Sequence, residues 1–469
     1  MSTPNYSPLH GLPALAGLAS FAEAQRPGLS VDECVRRLKR YHYAFKRLHE
    51  IFLARLTAEP IYELKMVFSL HAHYCAEHTA SLRQRVGEMR EPPLGLEAVP
   101  DTALEIFFDE ILAAPTTEEL ITGIYSDAVP ALIDALTRHR AETNPLADAP
   151  TVRVCKFALV ELEEMRAYGS QASDCLCANR QPSAFNARLL QIAGGVDGTQ
   201  PKLDQPGERR HSAQGFVYDG IPRRDERFPD PYNMGVNAES FLYDPNRPAE
   251  PKVLMMFYKR IREIDVPEMM ASIITETKGK PWGYYRDMTR QLWDEARHAM
   301  LGEVGFVSLG VDWTKVMVNF TWSLGLNTQL TPKERHGVLY FIEQGLMPKT
   351  GKRFEWETAQ ASGNPLSTLF QDYDWADEVL HARVGRDWYV SQFENPKEAV
   401  DWGDKAWSKV LVGWRQWRDE GLTEHRNWWP DVYLDYCRAQ RREPDAQVLS
   451  FDETYEAKRA DLKILSASA

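Results

Sequence analysis

The chain has 469 residues, 43% of them hydrophobic and 26% charged, enough for two or three domains and a core that needs no staples. Its formal net charge of −12 argues against a nucleic-acid or anionic-membrane partner, which would need a basic stripe. No run of about 18 apolar residues occurs, so no membrane span is expected.

The first 30 residues read as a loosely structured arm. The apolar stretch Leu12 to Ala22 lacks a basic segment before it, so no secretory signal is expected. From Val31 the pattern turns helical, with Val35, Leu38, Tyr41, Phe45, Leu48, Phe52 and Leu56 recurring at three- and four-residue steps. Pro60 ends that helix. A second helix is predicted from Tyr62 to Met89, closed by Pro92 and Pro93. A third region, Thr102 to His139, is interrupted near Pro115 and Pro130, and a fourth runs from Val152 to Ala172. Four long helices with short connections predict an antiparallel bundle over 31–175.

Residues 176–250 are rich in proline and glycine and read as a long irregular connector, with a short strand pair around Phe216 to Tyr218. Helical periodicity returns over Pro251–Gly279, Trp282–Leu309, Pro332–Gly345 and Pro365–Phe393, a second set of four within 251–395. A helical extension over 396–469 follows. In it Trp407, Val410, Leu411, Trp414 and Trp417 form an apolar stripe better suited to core packing than to a cofactor. The predicted fold class is all-α, two four-helix sets in tandem. The six cysteines show no framework spacing, and Cys175 and Cys177 form a lone C-x-C. Reduced thiols in a cytoplasmic protein are the expectation.

The chemistry lies in the second set. Glu295 and His298 form an E-x-x-H pair, and residues three apart share a helix face, so both can reach one metal ion. Glu378 and His381 repeat the spacing in the fourth helix of the same set. A di-metal centre needs one further carboxylate from each of the other two helices. Glu295 lies 14 residues after Pro281, roughly 20 Å from the turn, so its partner on the preceding helix should sit near residue 267. That selects Glu268, with Glu263 as the fallback, and places Glu276 too near the turn. On the third helix Glu343 is flanked by apolar residues and reads as inward-facing, with Glu355 and Glu357 as competitors. Asp294 and Asp374 are placed to accept the second N–H of the imidazoles, with a surface charge as the alternative for Asp294. Tyr284, Trp293, Tyr373 and Trp375 lie near the ligands in sequence and read as walls rather than radical relays.

The run Lys280-Pro-Trp-Gly-Tyr-Tyr-Arg-Asp-Met-Thr-Arg-Gln-Leu-Trp-Asp-Glu-Ala-Arg-His298, together with Glu268, resembles the ferritin-like di-iron carboxylate superfamily. The style of motif is similar to its non-storage bacterial branch, which includes the tRNA-hydroxylase type and uncharacterised relatives. The resemblance covers about 250–395. It implies terminal or bridging carboxylates at Glu268, Glu295, Glu343 and Glu378, and imidazole ligands at His298 and His381. It also implies two iron ions, with Mn/Fe as an alternative, and O2 chemistry on a small-molecule substrate fed by an electron donor. Oxygenase or hydroxylase activity is the first expectation, and metal handling of the ferroxidase type or a non-catalytic role the alternative. A homodimer is compatible with this reading, and tRNA is disfavoured by the acidic balance. The first set resembles a diverged copy. Ala80 stands where a histidine would follow Glu77, so that half reads as a metal-free scaffold, with a site at His73, Glu77, Glu161 and Glu164 as the alternative.

Overall fold

A computed structural model describes residues 7–90, 95–177, 182–230, 232–233, 235–319, 321–348, 351–424 and 426–454. Pro92, Pro93 and the tail beyond Thr454 lie outside the described residues, as do the side chains of Leu411 and Trp414. Every regular element among them is helical, and the only strand-like pairing is one antiparallel bridge between Val236 and Thr454. The strand pair expected near Phe216 is absent there, because this stretch runs as irregular backbone. One stretch, Thr117–Glu142, is long and apolar enough to cross a membrane, yet 61% of its most apolar window is buried in the protein.

The chain divides into two compact units, 1–51 with 74–217 and 52–73 with 218–469. The connector is therefore shared: its first part belongs to one unit and its second to the other.

Helices α1 (Val31–Leu56) and α2 (Tyr62–Glu88) follow the expected stripe. Ser30 accepts from Glu33 N–H at the start of α1, and all seven stripe residues are buried. The first unit continues with α3 (Thr102–Leu112), α4 (Val129–Glu142), α5 (Ala149–Leu176) and α6 (Ala184–Ala193). A π-helical turn, Thr122–Ala128, leads into α4, which packs on α5, while α6 packs on α3. Arg40 on α1 donates to the carbonyls of Ala193, Gly195 and Val196, so the start of the connector is ordered.

The second unit holds α7 (Ala249–Arg262), α8 (Asp265–Glu276), α9 (Trp282–Ser308), α10 (Thr321–Gln329) and α11 (Pro332–Gly345). It continues with α12 (Lys352–Ala361), α13 (Pro365–Trp388), α14 (Pro396–Asp419) and α15 (Trp429–Ala439). The single helix expected over 251–279 is two. Pro267 has no N–H to give the Glu263 carbonyl and its ring would clash with it, so the chain breaks at Glu263–Ile264. α7 packs along α9 and against α12, α8 packs on α9, α10 and α11, and α13 crosses both α9 and α11. Phe257, Phe306, Trp428 and Trp429 belong to the core of this unit. On α14, Trp407 and Val410 are buried, as packing residues should be.

Two glycines let α9 approach α7 closely. A Cβ at Gly302 would strike the backbone of Ile261 and Phe257, and one at Gly305 would strike the Phe257 ring. Gly302→Val should therefore cost about 3 kcal/mol and push α7 away from α9, measurable as a fall in the denaturation midpoint.

Four buried histidines make stability depend on pH. Burial holds the pKa of His42, His49, His71 and His336 down to about 3, from 6.5. The unfolded chain therefore binds more protons than the folded one below 6.5, and stability falls as pH drops from there toward 3. Each histidine contributes on the order of 1 kcal/mol per pH unit across that window. Measured between pH 7 and 5, the wild-type urea midpoint should fall relative to that of His336→Gln, in which this contribution is gone.

Candidate metal centre

Four segments of the second unit bring carboxylates and imidazoles to one buried place. Glu295 and His298 lie one turn apart on α9, and Glu378 and His381 repeat that spacing on α13. Glu343 comes from α11, and Glu263 from the link after α7. Local chemistry fixes where these helices start. Thr331 and Glu334 form a capping box with Pro332 in the first turn of α11. The Asn364 side chain accepts from Ser367 N–H, with Pro365 opening α13.

The result is two groups of potential ligand atoms, each lying within 4.8 Å of one another. One comprises Glu295, Glu343, Glu378 and His381; the other comprises Glu263, His298, Asp374 and Glu378. His298 Nδ1 lies 3.4 Å from Glu263 Oε2, 3.5 Å from Asp374 Oδ1 and 3.6 Å from Glu295 Oε2. His381 Nδ1 lies 3.1 Å from Glu295 Oε1, 3.5 Å from Glu378 Oε2 and 3.9 Å from Glu343 Oε1. Gln291 Nε2 donates to Glu343 Oε1 at 3.1 Å.

The opposite ring nitrogens face a second pair of acids. His298 Nε2 is 3.1 Å from Asp377 Oδ2, and His381 Nε2 is 3.5 Å from Asp294 Oδ2. Each of these aspartates directly precedes the glutamate of the other motif; Asp377 hydrogen-bonds to the His298 ring, and Asp294 faces the His381 ring without a hydrogen bond. Arg297 ties the aspartates together, 2.6 Å from Asp294 Oδ1 and 2.7 Å from Asp377 Oδ2. A histidine that donates from Nε2 to a carboxylate presents its Nδ1 lone pair inward.

Five carboxylates (Glu263, Glu295, Glu343, Asp374 and Glu378) face two buried cations, Arg260 and Lys352, which leaves three negative charges uncompensated when the imidazoles are neutral. Burial opposes every charge here, but Asp377, Glu263 and Glu295 outweigh it at His298 and hold its pKa up to about 10. His381 is raised well above its usual range against the same burial, by Asp294, Glu295 and Glu378. Glu343 is pushed well above the carboxylate range by burial and by neighbouring Glu378 and Glu295. The site thus draws in positive charge, as protons or as metal. The buried atoms Glu263 Oε2, His298 Nδ1, Glu378 Oε2 and His381 Nδ1 make no hydrogen bond among the described residues. Orphaned oxygen and imidazole donors around a negative centre suit a first-row divalent cation, and these residues could hold one or two.

Five of the six residues expected to bind metal lie in these groups: Glu295, His298, Glu343, Glu378 and His381. Glu268 does not, and Glu263 stands in the place expected for it. The height argument assumed one continuous helix, and the break enforced by Pro267 changes the phase of everything after it. Glu268 instead lies 3.0 Å from Lys65 Nζ and accepts from Arg224 NH2 at 3.0 Å and Ser323 Oγ at 2.8 Å. Burial opposes its charge, but Arg224 and Lys65 outweigh it and keep Glu268 ionised.

Asp294 is buried and lies 3.5 Å from His381 Nε2, whereas Asp374 faces the centre beside Lys352 and Arg260. Glu276 pairs with Arg335, Glu357 with Arg353, and Glu355 with Lys259 and Tyr243. Tyr284 is buried, Trp293 packs against the core, Trp375 meets Trp356, and Tyr373 is exposed. His73, Glu77, Glu161 and Glu164 assemble no ligand group among the described residues, nor do Cys175 and Cys177. Glu161 faces His78, and Glu164 accepts from Tyr74. A different triad, Cys34, His139 and Asp148, lies together in the first unit. Sequence reasoning missed Asp377, Arg260, Arg297 and Lys352; only Asp377 carried a signal, the repeated D-E before each x-x-H.

No protein-family model, curated protein or solved structure matches this chain.

Two substitutions separate the two buried glutamates. Glu263→Ala should lower bound metal with little loss of fold. Glu268→Ala should leave Lys65 without its carboxylate and Arg224 with Asp265 as its remaining acid, and cost about 3–5 kcal/mol, while the folded fraction keeps its metal. Elemental analysis beside thermal melts reads both.

Proposed function

We propose that this chain is an O2-dependent di-iron oxidoreductase acting on a small molecule, built as two ferritin-like four-helix sets in tandem with the metal pair in the second. The observation that carries the reading is the reciprocal pair of D-E-x-x-H helices. Both imidazole Nδ1 atoms face Glu295, His298 Nε2 is hydrogen-bonded to Asp377 of the other helix, and His381 Nε2 lies 3.5 Å from Asp294. Glu295 and Glu378 lie between the two groups and suit bridging roles; Glu263 and Glu343 suit terminal ones.

A cavity of about 150 Å³ opens on Glu263, Glu295, Glu343 and Glu378. The cavity is also lined by Val266, Met269, Trp322, Leu339, Ile342 and Leu346, together with charged residues such as Lys259 and Arg262. The apolar residues would give the apolar part of a compact substrate a place beside the ligands. A reduced iron pair would supply electrons and open coordination positions for dioxygen chemistry. The protein's part is to fix the ligands, through Asp294, Asp377 and Arg297, and to keep the reacting end dry. Six free cysteines support a reducing, cytoplasmic setting.

Loaded anaerobically with Fe(II), the protein should bind about two irons per chain and consume O2 on exposure to air. Glu295→Ala should reduce both iron content and O2 uptake about tenfold or more. Leu339→Trp should keep the iron and suppress substrate oxidation only. Absence of bound iron in the wild type would sink the reading, and continuous uptake of iron beyond a pair would turn it toward metal handling.

A further inference from the structure

The two ligand groups differ in what already neutralises them. In the group of Glu263, His298, Asp374 and Glu378, Lys352 Nζ lies 3.0 and 2.9 Å from the two oxygens of Asp374 and 2.8 Å from Glu378 Oε1. Arg260 lies 2.8 Å from Glu263 Oε1 and also contacts Asp374. Both cations are 1% exposed, so no solvent shares their charge. In the other group, Glu295 and Glu343 make no ion pair with lysine or arginine among the described residues, and His381 Nδ1 faces both. Two carboxylates there stand without a fixed cation, whereas Glu263 and Asp374 already have one each.

Resting on the di-metal reading above, we infer that the two metal positions are unequal and fill in order, with Lys352 as a placeholder cation at the second. The first divalent ion enters among Glu295, Glu343, Glu378 and His381, where the negative charge is open. The second must draw Asp374 and Glu378 away from an ammonium group that holds them at hydrogen-bond distance. An ammonium and a metal ion cannot both take Glu378 Oε1, and at this separation in a dry site their repulsion is strong. The side chain of Lys352 must therefore swing off as the second ion binds, and its charge sets the gap between the two affinities. Arg260 is more rigidly fixed by Glu263 and acts in the same direction.

The test is titration of chelator-stripped protein with Mn(II) under argon, following free Mn(II) by its paramagnetic resonance signal. Wild type should bind in two steps separated by about tenfold or more. Lys352→Met should tighten the second step about tenfold and the first, which meets Lys352 only through Glu378, by less, so that the gap narrows, while Lys352→Arg, which keeps the charge, should preserve the gap. Two equal steps in the wild type would overturn the inference without recourse to any variant, so a poorly folded Lys352→Met does not shelter it. A second step unchanged in Lys352→Met, or weakening of both steps, would overturn it too. Two bound ions with equal affinities would leave the di-metal reading standing. No binding by wild type, or full binding by Glu295→Ala, would remove that reading and the inference together.

Discussion

The second unit is organised around more buried acid than buried base. Carboxylates removed from water are stable only when something positive answers them, whether lysine, arginine, a proton or a metal ion. The unit contains both solutions side by side. Around Glu268 and Asp265 two cations, Lys65 and Arg224, answer two carboxylates, and the network closes on itself with Ser323 as a further donor. Around Glu295 and Glu378 the cations run out first. That shortfall raises His298, His381 and Glu343 toward holding protons. The same shortfall makes the place suited to a metal ion.

Backbone geometry decides which acids meet there. The crossing of α7 and α9 depends on Gly302 and Gly305, whose missing side chains let Phe257 and Ile261 approach. Pro267 then ends the first helix at the level of His298, so Glu263 leaves the helix pointing inward. On the other side Gly385 admits the Tyr340 ring, which brings α11 against α13 and Glu343 toward Glu378. Three places without a side chain and one without an N–H thus set the positions of three carboxylates.

The imidazoles are held by a second layer that is symmetrical in kind. Asp294 and Asp377 each reach toward the histidine of the other motif, and Arg297 bridges the two aspartates. At His298 the hydrogen bond between Nε2 and Asp377 leaves Nδ1 turned toward the centre, an arrangement that needs both motifs. Val266, Met269 and Leu339 line the same cavity as Glu263, Glu295, Glu343 and Glu378, so apolar and carboxylate surface meet in one place.

Much of this was legible in the amino-acid order. The 3.6-residue stripes gave helices from Val31 onward, and the repeated E-x-x-H spacing placed Glu295, His298, Glu378 and His381 together, because residues three apart must share a helix face. The apolar flanks of Glu343 pointed it inward. What the sequence could not settle was phase and partnership. One helix break put Glu263, and not Glu268, beside His298, although Pro267 was there to be read. Arg260, Arg297 and Lys352 look like ordinary surface cations in a sequence, and only packing shows that two of them are buried against the ligands. A local period is fixed by the backbone's own hydrogen bonds, whereas the charge balance of a buried site depends on which distant segments fold against it. The two E-x-x-H pairs were therefore determined by the sequence, and the tertiary structure alone decided which carboxylates and cations complete the site around them.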